Sequence, residues 1–316
     1  MNSANKPVSS EGRTYHVETR EGEVANRVIT VGDAARARAL AKHLDRILFE
    51  RASHRGFLTI TGMYRGVPVS IVAIGMGQAM MDFFVRETRM VVRGPLTIVR
   101  FGSCGSICPA KIGDLVVASS AFAITRNFAF FGPAPSGSSG SNNSSNSDGG
   151  PAAREPYLLW PAVPSDPGLT QAIAGNLRQA LGDAHVYEGA VGNADSFYGS
   201  QGREGSDFYD ANGTLIRRIH AEQPDAAALE MESHMLFHLA HTSTGPAGAA
   251  PPSIRAACAL MVYADRAGNA FIAPETSARM VNAAARAILD ALVDDAPTQD
   301  GLHPSAGAVW EAALAA

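Results

Sequence analysis

Residues 97–107 read Thr-Ile-Val-Arg-Phe-Gly-Ser-Cys-Gly-Ser-Ile, and the fold can be predicted outward from them. The β-branched apolar run at their start predicts a buried strand of a parallel sheet. The glycines after Arg100 predict a tight turn in which backbone N–H groups approach a ligand closely. Arg100 and Ser103 would then lie at the carboxyl end of the strand, where open α/β sheets bind ligands. Arginine, hydroxyl and amide groups together suit a phosphate-sized anion, although an ordinary strand and turn would explain the local sequence equally well.

Size and composition exclude several classes of function. The chain has 316 residues, 46% of them apolar, which is typical of a globular protein with a substantial core. A net charge of −4 provides no basic field for nucleic acid or for an anionic membrane. No segment approaches the ~20 apolar residues that cross a bilayer, and the first residues lack the apolar core of a secretion signal. Cys104, Cys108 and Cys258 form neither a disulfide framework nor a spaced zinc site, so we expect a reduced, cytoplasmic enzyme.

The sequence before the central stretch offers a second candidate for anion binding. A predicted strand over 28–31 leads through Gly32 and Asp33 into a helix rich in alanine and arginine. Asp33 is a plausible N-cap, and the free N–H groups of a helix start attract an anion. Arg36 lies one turn into this helix and can reach the same anion, although a solvated helix face is the alternative.

The rest of the chain continues the alternation of strands and helices. Gly75-Met76-Gly77 opens a long helix that runs to about residue 93, but it is not a dinucleotide fingerprint, because Met80 stands where a glycine or alanine is required. Residues 133–152 are almost wholly Gly, Ser, Asn and Pro and predict a flexible insertion within one domain. Further strands are predicted at 57–63, 67–74, 114–122, 186–191, 226–229 and 257–263, and further helices at 168–181, 233–241 and 275–294.

Two later clusters carry side chains that could contact a ligand. The irregular loop over 193–203 holds Phe197, Gln201 and Arg203, which could stack on a planar ring and hydrogen-bond its edge. Glu230-Met231-Glu232 follows a predicted strand and precedes a helix. An ordinary surface loop and a pair of solvated acids are the alternatives.

In this order the motifs resemble nucleoside phosphorylase family I, whose members cleave purine nucleosides or uridine. The resemblance extends from about residue 15 to residue 293. Within the family, the chain resembles the uridine-cleaving members most. Its most specific matches are Val-Gly-Asp-x-x-Arg at 31–36, Ser-His-Arg at 53–55, Arg-Phe-Gly-Ser-Cys-Gly at 100–105, Asp-Ser-Phe-Tyr-x-x-Gln-x-Arg at 195–203 and Glu-Met-Glu-Ser at 230–233.

The resemblance implies a single-domain α/β fold with a mixed, partly barrel-like central sheet flanked by helices. The domain would span 15–295, with tails at 1–14 and 296–316. It also implies a homo-oligomer, at least a dimer with shared active sites. The expected reaction is the reversible phosphorolysis of uridine to uracil and ribose 1-phosphate, with inorganic phosphate as co-substrate and no cofactor or metal.

The site residues implied by the resemblance fall into three groups. The phosphate group comprises Gly32, Arg36, Arg100 and Ser103, with Arg55 lent by a neighbouring subunit. The ribose group comprises Met231 and Glu232, with His16 reaching across from the neighbouring subunit. The base group comprises Phe197, Gln201 and Arg203.

Departures from the family pattern keep alternatives open. Ser103 replaces a threonine of many relatives but retains the hydroxyl. Asp265 resembles the aspartate with which purine-cleaving members protonate the base, whereas Arg266 resembles the uridine group, so both are possible catalytic residues beside the base. Gly56 replaces the acidic residue of an interface potassium site, which we therefore do not predict.

Three alternative functions remain at this stage. A purine nucleoside phosphorylase and a nucleosidase of the same fold would use most of the same residues. A nucleoside-binding protein without turnover is a more remote alternative. An α/β-hydrolase is disfavoured, because Gly-Ser-Cys-Gly-Ser lacks the Gly-x-Ser-x-Gly elbow.

Overall fold

A computed structural model describes residues 3–132, 155–205, 207–243, 253–266, 268–294 and 302–315. The predicted insertion at 133–152 lies outside these ranges. The strands are β1 (Arg27–Val31), β2 (Arg46–Ala52), β3 (Leu58–Tyr64), β4 (Val67–Ala73), β5 (Leu96–Ser106), β6 (Leu115–Arg126), β7 (Tyr157–Leu159), β8 (Val163–Pro164), β9 (Val186–Ala194), β10 (Ala226–Glu230), β11 (Ile254–Asp265) and β12 (Ala270–Phe271). The helices are α1 (Ala34–Ala41), α2 (Gln78–Val91), α3 (Phe128–Phe131), α4 (Pro167–Leu181), α5 (Leu215–Glu222), α6 (Ser233–Thr242), α7 (Pro274–Asp294) and α8 (Glu311–Leu314).

The strands form one mixed sheet that closes on itself along part of its width. β5 pairs in parallel with β11 and antiparallel with β10. β9 pairs in parallel with both β10 and β6, and β6 pairs antiparallel with β11, which completes a ring of strands. On its other side β5 pairs with β1, from which the sheet continues open through β4, β3 and β2. The predicted mixed, partly barrel-like sheet is thereby confirmed.

The prediction of a tight turn after Arg100 is wrong, because β5 continues through the glycines to Ser106. The glycines are required by close packing instead. A Cβ on Gly102 would lie 2.8 Å from the side chain of Leu260, and a Cβ on Gly105 would lie 3.1 Å from that of Arg266. Local sequence resembles a turn here because the neighbours that exclude side chains come from β11 and from the residue that follows it, more than 150 residues away.

Arg100 therefore lies inside a strand and not at its end, yet it still marks an opening in the sheet. It is the last β5 residue in register with β1, opposite Thr30. Pairing with β10 begins only at Gly105, opposite Leu229. Between these points the edge of β5 diverges from both neighbours, which leaves room for a cavity beside Arg100 and Ser103.

Helices cover both faces of the sheet. α1, α4 and α7 bury Leu40, Ile173 and Ile288 against one face. α2 and α6 bury Phe84 and Phe237 against the other. Full burial of such a side chain contributes about 1.5–3 kcal/mol, so these contacts stabilise the helices on both faces of the sheet. Within the described ranges, no helix is long and apolar enough to cross a membrane.

The predicted helices and strands are present, several of them longer than expected, and a few elements are additional. β2 is a mostly exposed edge strand, so its charged sequence carries no clear alternation. α5 was not predicted, although Leu215 and Ile219 have helical spacing and are buried. Residues 302–315, which we predict as part of a tail, bring the buried side chain of Trp310 against Ala25 and Met63.

Candidate active site

A cavity of about 380 Å³ opens where β5 diverges from β1, and it collects most of the predicted residues. Its volume lies in the range of small-ligand sites. The predicted residues that line it are Gly32, Arg36, Arg100, Ser103, Phe197, Gln201, Arg203, Met231 and Glu232. Residues far apart in the chain thus meet at one place, as the resemblance implies.

The turn from β1 into α1 places Arg36 in the cavity wall. Asp33 is the N-cap of α1 and accepts a hydrogen bond from the backbone N of Arg36 at 2.8 Å. The buried guanidinium of Arg36 donates to the phenol oxygen of Tyr263 at 2.8 Å and to the carbonyl of Phe101 at 3.4 Å. These contacts hold a permanent positive charge at the cavity wall.

Arg100 is a second arginine of the cavity wall, and its side chain is only 4% exposed. Its Nη2 donates to Glu232, and its Nε lies 3.4 Å from a carboxylate oxygen of Glu230. Burial disfavours the charged guanidinium, but the carboxylates of Glu232 and Glu230 outweigh burial and raise the pKa of Arg100. Nη1 is buried without a hydrogen-bond partner in the described part of the chain. Because such an unpaired donor costs about 1–3 kcal/mol, an oxyanion beside it would be strongly stabilised.

Two buried carboxylates frame Arg100. Glu232 accepts from the backbone N of Gly77 at 2.5 Å as well as from Arg100. Glu230 accepts from the backbone N of Ser233 at 2.9 Å. Burial and the nearby charge of Glu232 raise the pKa of Glu230 to about 7, against the opposing effect of Arg100. Glu230 was noted in the sequence as one of a pair of acids, but its contact with Arg100 was not predicted.

The cavity wall also carries the aromatic ring and amide predicted to contact a base. The guanidinium carbon of Arg203 lies 3.7 Å from the ring centre of Phe197. Arg203 Nη1 donates to the Oε1 of buried Gln201 and to the Phe197 carbonyl, both at 2.6 Å. Burial, and then the charge of Arg266, lower the pKa of Arg203 to about 10. A flat ring entering here would meet an aromatic face and a planar set of donors.

Asp265 and Arg266 are not among the residues that line the cavity. Asp265 lies at the end of β11 and accepts from the backbone N of Gly268 at 3.1 Å. Arg266 donates to the Gly202 carbonyl at 2.9 Å and so supports the loop that carries Gln201 and Arg203. Arg266 thus contacts the loop of Gln201 and Arg203 without lining the cavity, and Asp265 belongs to the neighbouring turn.

His16 and Arg55 also lie outside the cavity of their own chain. His16 Nδ1 lies 2.6 Å from a carboxylate oxygen of Glu87, and its ring stacks on Phe83 at 4.0 Å. The guanidinium of Arg55 lies 5.8 Å from the ring centre of Tyr15. Tyr15 also contacts the His16 ring at 4.9 Å, so both residues belong to one cluster. This placement is compatible with the prediction that they serve a neighbouring subunit.

Sequence reasoning missed several residues of the cavity wall. Tyr263, Phe271 and Cys104 all line it without having been predicted. For Tyr263 a signal existed, since a polar side chain at the end of a predicted strand is a candidate ligand contact. Cys104 lies within the stretch that we singled out, but its type suggests no role there.

Comparison with known proteins identifies the family of the chain. The family model of the phosphorylase superfamily matches residues 26–294. A uridine phosphorylase of Thermococcus kodakarensis is 29% identical over 270 residues, which are 85% of this chain and 83% of the relative. A structure from work on uridine phosphorylases of the oomycete Phytophthora capsici is 35% identical, with a TM-score of 0.81 over 94% of this chain and 99% of that one. A DeoD-type purine nucleoside phosphorylase of Streptococcus uberis is 35% identical over 111 residues, 34% of this chain and 46% of the relative.

Proposed function

The chain belongs to the phosphorylase superfamily, and on that premise we propose that it catalyses the reversible phosphorolysis of uridine. The products are uracil and ribose 1-phosphate, so the enzyme is a pentosyltransferase. Two relatives that align along most of the chain support the uridine reaction, one from Thermococcus kodakarensis and one from Phytophthora capsici. The observation that carries the proposal is the lining of one cavity, in which the buried Nη1 of Arg100 has no hydrogen-bond partner in the described part of the chain and Gln201 lies beside Arg203.

Inorganic phosphate occupies the end with Arg36 and Arg100 in this proposal. Two guanidiniums offer charge-assisted hydrogen bonds, and the Ser103 hydroxyl and the backbone at Gly32 add neutral donors. Arg55 of a neighbouring subunit completes the set. Their main effect is to fix the angle at which phosphate attacks the sugar, which is a positioning effect.

The ribose lies between the two ends. Glu232 accepts hydrogen bonds from its hydroxyls, Met231 packs against it, and His16 of a neighbouring subunit binds the 5′-hydroxyl. Because Glu232 also pairs with Arg100, the groups that hold the sugar and the phosphate are mechanically linked.

Uracil stacks on Phe197 and presents its edge to Gln201 and Arg203. A phosphate oxygen forms a bond to C1′ while the bond from C1′ to the base nitrogen breaks, and its electron pair leaves with uracil. Arg203 stabilises the negative charge that collects on the ring oxygens, the type of contact worth about 10²–10³-fold in rate. The proton that phosphate loses balances the proton that uracil gains.

Assembly and location complete the proposal. The enzyme is a homodimer or a larger oligomer in this proposal, which is supported by half-buried His16 and exposed Arg55, both of which lie outside the cavity of their own chain. A reducing cytoplasm is the proposed compartment, since Cys104, Cys108 and Cys258 are all free thiols.

The decisive assay follows the absorbance of uridine with and without phosphate. Loss of uridine that requires phosphate supports the proposal. Equal turnover without phosphate would indicate a nucleosidase, a higher kcat/KM for inosine would indicate a purine enzyme, and binding without turnover would indicate a nucleoside-binding protein.

A further inference from the structure

Tyr263 lies between the active-site cavity and helix α7. It belongs to β11, and its side chain lines the cavity on the side of Arg36. Its ring centre is 5.4 Å from the Arg36 guanidinium carbon, while the ring of Phe101 lies 5.9 Å from the same atom. Arg36 is therefore held close to two aromatic rings.

The hydrogen bonds of the Tyr263 hydroxyl have a defined direction. A guanidinium cannot accept a hydrogen bond, so the phenol oxygen must accept from Arg36 Nη2, at 2.8 Å. The phenol proton is then free to be donated to Ser277 Oγ on α7, at 2.5 Å. Hydrogen bonds thus run without a break from Ser277 on α7 through Tyr263 to Arg36 in the cavity wall.

The hydrogen bond between Arg36 and Tyr263 competes with a second possible partner of Arg36. Asp33 Oδ2 lies 3.6 Å from the same Nη2 atom, and the Asp33 side chain is 53% exposed. Without the phenol oxygen, the guanidinium would be free to turn towards Asp33, which would neutralise its charge and take its donors away from an incoming anion. The aromatic hydroxyl prevents this without adding a negative charge.

We propose that Tyr263 is a positioning residue that holds the Arg36 guanidinium ready for phosphate. The inference rests on the proposed function, in which Arg36 binds that anion. Tyr263 thereby sets the affinity for phosphate and has little influence on the affinity for the nucleoside.

The test is Tyr263→Phe, which removes the hydroxyl and keeps the ring. We expect the KM for phosphate to rise roughly tenfold, the effect of losing one hydrogen bond to a charged group, while the KM for uridine stays within about twofold. Ser277→Ala should raise the KM for phosphate in the same direction but less. Tyr64→Phe is the matched control, because its hydroxyl donates to Asp290 at 2.9 Å and it does not line the cavity.

A second readout does not depend on turnover. Inorganic phosphate should raise the thermal midpoint of the wild-type chain at lower concentrations than it does for Tyr263→Phe. Equal phosphate dependence of the two chains, or equal increases in both KM values, would overturn the positioning role and leave the proposed function standing. If the wild-type chain neither binds phosphate nor cleaves uridine, the proposed function falls and this inference with it.

Discussion

Glu230 and Asn193 are register partners on β10 and β9, and together they accept the backbone N–H groups that begin α6. Glu230 accepts from residues 232 and 233 at 2.9 Å. Asn193 Oδ1 accepts from His234 at 3.1 Å and from Met235 at 3.4 Å. Both side chains are buried. Since free N–H groups at a helix start must find acceptors, this pair holds the segment that carries Met231 and Glu232.

Asn193→Ala should weaken this arrangement. Removal of Oδ1 leaves two partly buried N–H groups without their acceptor, so we expect the free energy of unfolding to fall by about 1–3 kcal/mol. Because Glu232 is displaced, the KM for uridine should rise more than the KM for phosphate. Denaturant unfolding and steady-state kinetics measure the two effects. Asn176→Ala, which removes a partly buried amide bonded to the Ala287 carbonyl, is the control; an equal change in KM for that variant would contradict the prediction.

Glu230 should make stability depend on pH. Its pKa is raised to about 7, by burial first and then by Glu232, so the folded state binds a proton more tightly than the unfolded state does. The stabilisation from this proton is complete below the ordinary pKa of about 4.5 and is lost as the pH rises through about 7. Glu230→Gln should flatten this part of the pH profile, measured by unfolding in a buffer without phosphate. The exposed Glu188→Gln should keep the wild-type slope, and identical slopes in all three chains would refute the assignment.

Arg203→Ala should reduce turnover of uridine far more than that of any purine nucleoside the enzyme accepts. The lost guanidinium stabilises charge on a departing pyrimidine, and removal of such a donor costs about 10²–10³-fold in kcat. Parallel assays with uridine and inosine measure the ratio. Arg38→Ala, an exposed arginine paired with Glu50, is the matched control. A uniform loss on both substrates would indicate structural damage only.

The variant Asp265→Asn tests whether Asp265 takes part in the reaction, as the aspartate of the purine-cleaving members does. Asp265 contacts the turn at Gly268 and does not line the cavity, so we expect the kcat for uridine to stay within about threefold of wild type, as for a surface change. Steady-state kinetics at saturating phosphate provide the measurement. A loss of two orders of magnitude would mean that Asp265 protonates the base, as in the purine members of the family.

The helices with strong periodicity could be predicted within about two residues. α2, α4 and α7 each have a buried apolar face and a clear start, such as the Asp166 side chain that caps α4. β5 could not be predicted beyond Arg100, since its glycines reflect contact with β11 and local sequence contains no information about that neighbour. The same limit explains why the roles of Asn193 and Tyr263 were missed, because their partners lie 41 and 227 residues away.

The central claim is that Arg36 and Arg100 bind phosphate at one end of a cavity whose other end binds uracil. A crystal structure with phosphate and a non-cleavable uridine analogue tests it most directly. We predict a phosphate oxygen within about 2.7–2.9 Å of Arg100 Nη1, the usual length of a charge-assisted bond, and the edge of the base against Gln201 and Arg203. Phosphate bound elsewhere, with Nη1 still unpaired and the base away from Gln201, would contradict the account.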